Sequence, residues 1–372
     1  MDAQALDLLA DGDPVRDQVR AVLAPWRLDD LAAAQQSRTG YAEEIWQAFR
    51  AAVGSRMADP RVVRVALEEV GYARCPLPVH GGLVQPLAAA ALLGEAAQVV
   101  VVTHLLGGGR FEFLMHGGSG LPGAENVSLK AEQTDGIWRI SGTARHLRFG
   151  DSAGYLLAPA RAGRGRLLVA VVPAGAPGIR RDVHPTLTGD RLTDVTFDDT
   201  PIDDVAVLAG DAAGDRRGVD AMDAAQDLGT LAVAAELVGL SARLLTMATE
   251  RVKTRQAYGA PLAALQAVQL RAADMYLSFQ AARDAVVEAS EVLASEEGVL
   301  SSPRVLAAIA AAKVAATDSA LAIAAGAHQL CGGWGLLEQA RLHHFTRAIK
   351  AAEGQLGSPR YHRAAIAEYL KV

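Results

Sequence analysis

The order in which hydrophobic textures follow one another limits this chain more than any single motif does. Long helix-periodic pieces close the sequence: Leu228–Arg255, Ala263–Ala294, a third opened by Ser302-Pro303 and reaching Leu330, then roughly Leu337–Lys350 and Pro359–Tyr369. Helices of that length need neighbours on more than one side, which makes an antiparallel bundle their natural setting. Ahead of them, runs at Val99–Val102, Phe111–Leu114, Ser128–Glu132, Trp138–Ser141, Tyr155–Ala158, Leu167–Val172 and Val195–Phe197 alternate with Gly, Asp and Pro and read as strands. Asp135-Gly136 is a tight-turn signal between two of them. Earlier still, Tyr41–Val53 carries Ile45, Trp46, Phe49 and Val53 on one stripe, Asp59-Pro60 caps and opens Arg61–Val70, and Leu87–Leu93 suits a short helix. Segregated runs imply an α+β architecture: an N-terminal helical domain (1–97), a central antiparallel β-sheet or barrel domain (98–212) and a C-terminal four-helix bundle (213–372).

Composition excludes several classes. The 372 residues suit more than one small core, and 51% hydrophobic with 21% charged residues describes a globular chain. A net charge of −6 with scattered Lys and Arg argues against a nucleic-acid partner. The two cysteines, Cys75 and Cys331, sit in no metal-binding pattern, so neither a zinc site nor a disulfide framework is expected. Acids rather than bases stand near the N-terminus, where a signal peptide would be basic. Lys313 and Asp318 interrupt the longest apolar stretch, Val305–Ala327, which therefore reads as a buried Ala-rich helix rather than a membrane span. A cytoplasmic protein without a membrane partner is the expectation. No GxGxxG follows a strand and no Walker sequence occurs, so neither common nucleotide-binding fingerprint is present.

Arg255-Gln256-Ala257-Tyr258-Gly259-Ala260-Pro261-Leu262, followed by Leu265-Gln266, Gln269 and Ala273-Asp274-Met275, resembles the acyl-CoA dehydrogenase family. His328-Gln329-Leu330-Cys331-Gly332-Gly333-Trp334-Gly335 is similar to that family's Q-x-x-GG-x-G segment, and Trp138-Arg139-Ile140-Ser141-Gly142 to a strand of its β domain. Thr196–Ile202 resembles the strand leading out of that domain, and Gly357-Ser358-Pro359 with His362-Arg363 resembles actinobacterial endings. The resemblance implies non-covalent FAD, a homo- or hetero-oligomer (dimer or tetramer), and α,β-dehydrogenation of an acyl thioester by a carboxylate base and flavin, in lipid or steroid metabolism. It implies that Arg255 contacts the cofactor's pyrophosphate, that Tyr258 and Gln266 lie on the adenosine side, and that Gln329, Gly332 and Gly333 line the same nucleotide. A guanidinium fork suits phosphate, and glycine permits close backbone approach. Read without the resemblance, Arg255 is a helix-end cation and the glycines a helix C-cap.

The departures from the family pattern fall on the reacting centre. In one branch the base stands at the position of Gly229; in the commoner one it stands at Leu356-Gly357; neither holds a carboxylate. Glu353 sits three residues early and reads as a solvated helix-end acid. Glu236, seven residues beyond Gly229, is expected to be structural, and Asp223, Gln226 and Asp227 to lie near a helix start that favours caps. The family's flavin-edge aromatic and hydroxyl are replaced by His146 and Arg148, and its flavin-gripping loop by Met115-His116-Gly117-Gly118-Ser119-Gly120. His343-His344 reads as a surface pair, since adjacent helical positions diverge. No catalytic residue is assigned.

Three readings stand at this point. The chain could be a subunit without its own catalytic carboxylate that completes a partner's flavin site. It could be a flavin-independent isomerase, lyase or cyclase on the same fold, using His116, His146 or Arg148 with an acid. It could be a structural homologue.

Overall fold

The structure is a computed structural model, and it describes residues 7–115, 123–163, 165–210, 212, 214–257, 259–295 and 302–371. The N-terminal lobe comprises α1 (Pro14–Leu23), α2 (Leu31–Gln36), α3 (Glu43–Val53), α4 (Pro60–Ala73), a π-helical turn (His80–Val84), α5 (Gln85–Leu93) and α6 (Glu95–Leu106). Asp13 and Asp59 accept from Val15 N–H and Arg61 N–H, so each caps a helix whose first residue is proline. Arg16, 2% exposed, ties α1 to α4 by donating to Glu68 at 2.6 Å and Glu69 at 2.7 Å.

The β lobe holds β1 (Phe111–Phe113), β2 (Lys130–Thr134), β3 (Ile137–Arg148), β4 (Tyr155–Arg161), β5 (Leu167–Pro173), β6 (Ile179–Pro185), β7 (Arg191–Ile202) and β8 (Val207–Ala209). They form one sheet in the order β6-β7-β3-β2-β4-β5-β8, with β1 added against β4. Most pairs are antiparallel, but β1 lies parallel to β4, Phe111 opposite Tyr155. Asp135 and Gly136 both take positive φ, 54° and 80°, and make the two-residue turn that fixes the β2–β3 register. Along β3, register shifts between Ala144 and Leu147 mark an irregularity that puts His146 at φ 59°.

The C-terminal bundle is α7 (Arg217–Thr254), α8 (Gln266–Ser295), α9 (Pro303–Cys331), α10 (Leu342–Glu353) and α11 (Pro359–Leu370), with a two-stranded link, β9 (Gln256–Ala257) and β10 (Ala260–Pro261), between α7 and α8. α7 packs against α8, α9 and α10 and also against α4 and α5 of the N-terminal lobe, so it is buried over most of its length. Glycines let α4 and α7 meet backbone to backbone. A Cβ on Gly71 would lie 2.3 Å from the Glu236 carbonyl oxygen, and one on Gly239 would lie 1.9 Å from that of Glu68. Lys313, the charge inside the apolar stretch of α9, is fully buried and donates to the carbonyls of Ala352 at 3.1 Å and Glu353 at 2.9 Å, closing the C-terminus of α10. Burial holds its ammonium down to about 8.

Three local expectations change. The β-branched run Val99–Val102 lies within helix α6, not in a strand, because Ala97, Val101 and Leu105 share one buried face while Val99 stays 59% exposed. β6 has no hydrophobic alternation to announce it; its Arg180, Arg181 and His184 are exposed. α7 opens at Arg217, so Asp223 and Asp227 lie in its second and third turns and cap nothing.

The helix contact yields a direct prediction. Gly239→Ala is expected to cost about 2–3 kcal/mol through forced separation of α4 and α7. Gly175→Ala, where a Cβ meets nothing within 4 Å, should stay within about 0.5 kcal/mol of wild type. Urea unfolding of both variants measures the difference.

Candidate active site

Where the three lobes meet, a cavity of about 270 Å³ is lined by charged groups together with Phe113, Leu147, Leu192, Ala348, Ala351 and Ala352. Asp190, between β6 and β7, is the junction of its polar wall. Its carboxylate accepts from Gln35 Nε2 at 2.8 Å and Arg148 Nη2 at 3.3 Å, and pairs with Arg74 Nη2 at 3.6 Å. Gln35 also donates to the carbonyl of Thr188 at 2.9 Å, which ties this loop to α2. Burial opposes ionisation of Asp190, but Arg74 and Arg148 outweigh it and hold the carboxyl below its ordinary range.

Glu236 projects from α7, 8% exposed, one turn from Gly239. One of its oxygens lies 2.8 Å from His80 Nε2 and 3.7 Å from Arg148 Nη1. Against the cost of burial, the His80 hydrogen bond and Arg148 pull this carboxyl down to about 2. His80 opens the π-helical turn, a geometry that recurs at functional sites because it re-aims side chains within a helix. Its Nδ1 is buried without a hydrogen-bond partner.

Glu112 is the middle residue of β1, 5% exposed, and the flanking phenylalanines are buried. A Cβ on Gly81 would lie 2.5 Å from Glu112 Oε1, so the carboxyl fits beside the π turn because residue 81 is glycine. Its environment is opposite to that of Glu236: burial raises the carboxyl well above the usual range, and Arg148 offsets this only in part. Two buried carboxyls in one cavity are thus shifted in opposite directions, Glu236 toward its ionised form and Glu112 toward its neutral form.

The family's base positions are closed. A Cβ on Gly229 would lie 2.9 Å from both Gln85 Nε2 and Leu356 Cδ1; Leu356 is 1% exposed, and a Cβ on Gly357 would meet His362 Nε2 at 2.7 Å. Glu353 is paired with Lys350 on the surface of α10. Glu236, expected to be structural, stands instead in the cavity wall. Asp227 is buried, and burial together with Asp223 raises its carboxyl to about 7. Arg148 and His146 both line the cavity; His146 is the more exposed of the two, and its backbone N–H donates to Asp194. His116 lies outside the described residues. His343 and His344 are half-buried with rings 4.0 Å apart.

The residues that the resemblance assigns to a nucleotide gather elsewhere, at one end of the bundle. Arg255 follows the last turn of α7, Gln266 begins α8, and Gln329, Gly332 and Gly333 end α9; all five are exposed. Arg251 stacks over Trp334 at 4.4 Å, which holds the end of α7 against the glycine turn. Tyr258 lies outside the described residues. The two regions differ in their fit to a flavin dinucleotide. The exposed edge, with a guanidinium and two glycines on which a Cβ would meet nothing, suits a pyrophosphate. The cavity does not suit the ring: the position of the family's flavin-edge hydroxyl carries Arg148, whose guanidinium is bound to Asp190 and near Glu236.

Sequence reading alone passed over Arg74, His80, Glu112 and Asp190. Only Glu112 carried a signal, an acid between two phenylalanines in a strand. For Glu236→Gln we expect a loss of about 1–3 kcal/mol at pH 7, because the half-buried Arg148 would keep Asp190 but lose the second of its two opposing charges. The ionised carboxylate contributes stability above its unfolded value near 4.5 and loses it as pH falls toward 2. Thermal unfolding between pH 7 and pH 3 should therefore show a shallower acid limb in the variant.

Comparison with known proteins places this geometry. Residues 216–371 match the family model for the acyl-CoA dehydrogenase C-terminal domain. Human mitochondrial short-chain specific acyl-CoA dehydrogenase is 26% identical over 203 residues, covering 54% of this chain and 47% of the human protein. The match thus spans about half the length of that relative. Among solved structures, the ChsE4-ChsE5 complex from Mycobacterium tuberculosis superposes with a TM-score of 0.81 at 20% identity, covering 100% of this chain and 99% of that one. A glutaryl-CoA dehydrogenase from Mycobacterium smegmatis, in complex with FADH2, superposes with a TM-score of 0.81 at 17% identity, covering 98% and 96%. The helix–sheet–bundle order, the R-x-x-Y-G and Gly-Gly segments and the matched bundle agree: residues 216–371 are an acyl-CoA dehydrogenase C-terminal domain, and the whole chain has the fold of the acyl-CoA dehydrogenases it superposes on.

Proposed function

We propose that this chain is a subunit of a hetero-oligomeric acyl-CoA dehydrogenase, lending its nucleotide-binding edge to FAD whose ring and base are supplied by a different, base-bearing subunit. The partner's reaction is α,β-dehydrogenation of an acyl thioester. The observation that carries this reading is Arg148, tied to Asp190 and Glu236 where a flavin-dependent relative would place a hydroxyl. The closed positions at Gly229, Leu356 and Gly357 support it, since they deny the chain the usual proton acceptor. Exposure of Arg255, Gln266, Gln329, Gly332 and Gly333 fits a surface that meets a ligand held by another subunit. The ChsE4-ChsE5 neighbour is a complex of two components, which supports a heteromeric assembly for this fold.

The test is co-purification followed by a visible absorbance spectrum. Alone, the chain should be colourless; with a base-bearing family member encoded beside it, the complex should be yellow. Arg255→Ala should lower the complex's FAD affinity roughly tenfold, the loss of one charge-assisted phosphate contact. Stoichiometric flavin on the chain alone, with acyl-CoA-dependent reduction of an electron acceptor, would overturn the reading.

A further inference from the structure

The cavity keeps an arrangement that subunit assembly does not use. Glu112 lines it, 5% exposed, and no described residue hydrogen-bonds its carboxyl. Arg148 has an Nε that is buried without a partner, and its two terminal nitrogens reach Asp190 and Glu236 only at 3.3 and 3.7 Å. Such under-occupied donors and acceptors around one space are costly unless a ligand or water meets them. The lining also carries apolar side chains, among them Phe113, Leu147 and Leu192, and about 270 Å³ lies just below the usual range of ligand cavities. A short chain with one carbonyl group matches that mixture of polar and apolar lining in a small space.

We propose that the cavity is a flavin-independent proton-transfer site for a short acyl thioester, with Glu112 the catalytic residue and Arg148 the group that receives the enolate charge. The thioester class rests on the function proposed above; the site itself rests on the geometry. The ionised Glu112 removes a proton from the carbon α to the carbonyl, and the C–H electron pair forms the Cα–C1 double bond. The carbonyl π pair moves onto oxygen, where Arg148 N–H groups stabilise it. The protonated Glu112 then swaps its proton with solvent and delivers one to the α-carbon, which is exchange, or delivers a proton to the γ-carbon of a β,γ-unsaturated chain, which is a 1,3-shift of the double bond. No electron leaves the substrate and no co-reactant is consumed. Glu236 remains ionised throughout, holding His80 and balancing Arg148.

A raised carboxyl is the stronger base once ionised, so the pH dependence has a definite sign. Glu112 is faced by Arg148 from β3, which favours its ionised form, and by Asp151 just beyond β3, which opposes it. His80 and Gly81 border it from the π turn, and Glu236 faces the same cavity from α7. Activity should rise with pH as the Glu112 carboxyl ionises.

The experiment uses the full chain, free of flavin and partner, with butanoyl-CoA in D2O and mass spectrometry of the acyl group. We expect α-deuterium incorporation at least tenfold faster than in a protein-free control, rising with pH. Glu112→Gln should return it to the control rate. Glu112→Asp should keep a measurable fraction, and Gly81→Ala, which crowds the carboxyl without removing it, should slow exchange while far-UV circular dichroism stays unchanged. Control-rate exchange by the wild-type chain would overturn the proposal, as would wild-type exchange in folded Glu112→Gln. Because no flavin enters the assay, its result is independent of whether the co-purified complex is yellow.

Discussion

Helices α4 and α7 touch through their backbones, and the functional geometry depends on that contact. Gly71 against Glu236 and Gly239 against Glu68 remove the two side chains that would hold the helices apart. The approach carries Glu236 to within hydrogen-bonding distance of His80, which the N-terminal lobe supplies just beyond α4. It also sets Glu68 and Glu69, on the same helix, against Arg16 of α1. One close helix pair therefore joins the N-terminal lobe to the bundle and fixes one wall of the cavity.

The cavity's charges are arranged so that attraction and desolvation resolve differently at each carboxyl. Asp190 and Glu236 each lie near guanidinium groups and stay ionised despite burial. Glu112 feels the same Arg148, yet burial and Asp151 outweigh it. A buried array of two arginines and two ionised carboxylates is close to neutral overall, which is the condition under which such charges persist inside a protein. It also explains why a flat, largely uncharged ring is a poor occupant.

Much of the architecture was legible in the residue order. The helix–sheet–bundle sequence, the Asp135-Gly136 turn, the proline-opened helices at Asp59 and Ser302, and the long bundle helices all rest on local propensity and period. Local reading failed where tertiary packing overrode it. Val99–Val102 is β-branched, but its neighbours Ala97 and Leu105 complete a helical face that the core accepts. β6, polar and at the edge of the sheet, needs only its β7 partner and shows no alternation.

By itself the sequence determined the fold class, the glycine turn after α9 and the arginine after α7, and the absence of a carboxylate at Gly229, Leu356 and Gly357. Those are properties of chain neighbours and of fixed spacing. Only the tertiary structure decided that Glu236 faces a cavity, that the Glu112 carboxyl packs beside Gly81, and that Arg148 is held by Asp190. Residues 80, 112, 148, 190 and 236 come from separate segments of the chain. Their protonation follows from burial and from charges brought together by folding, neither of which exists until the helices and the sheet have closed around the same space.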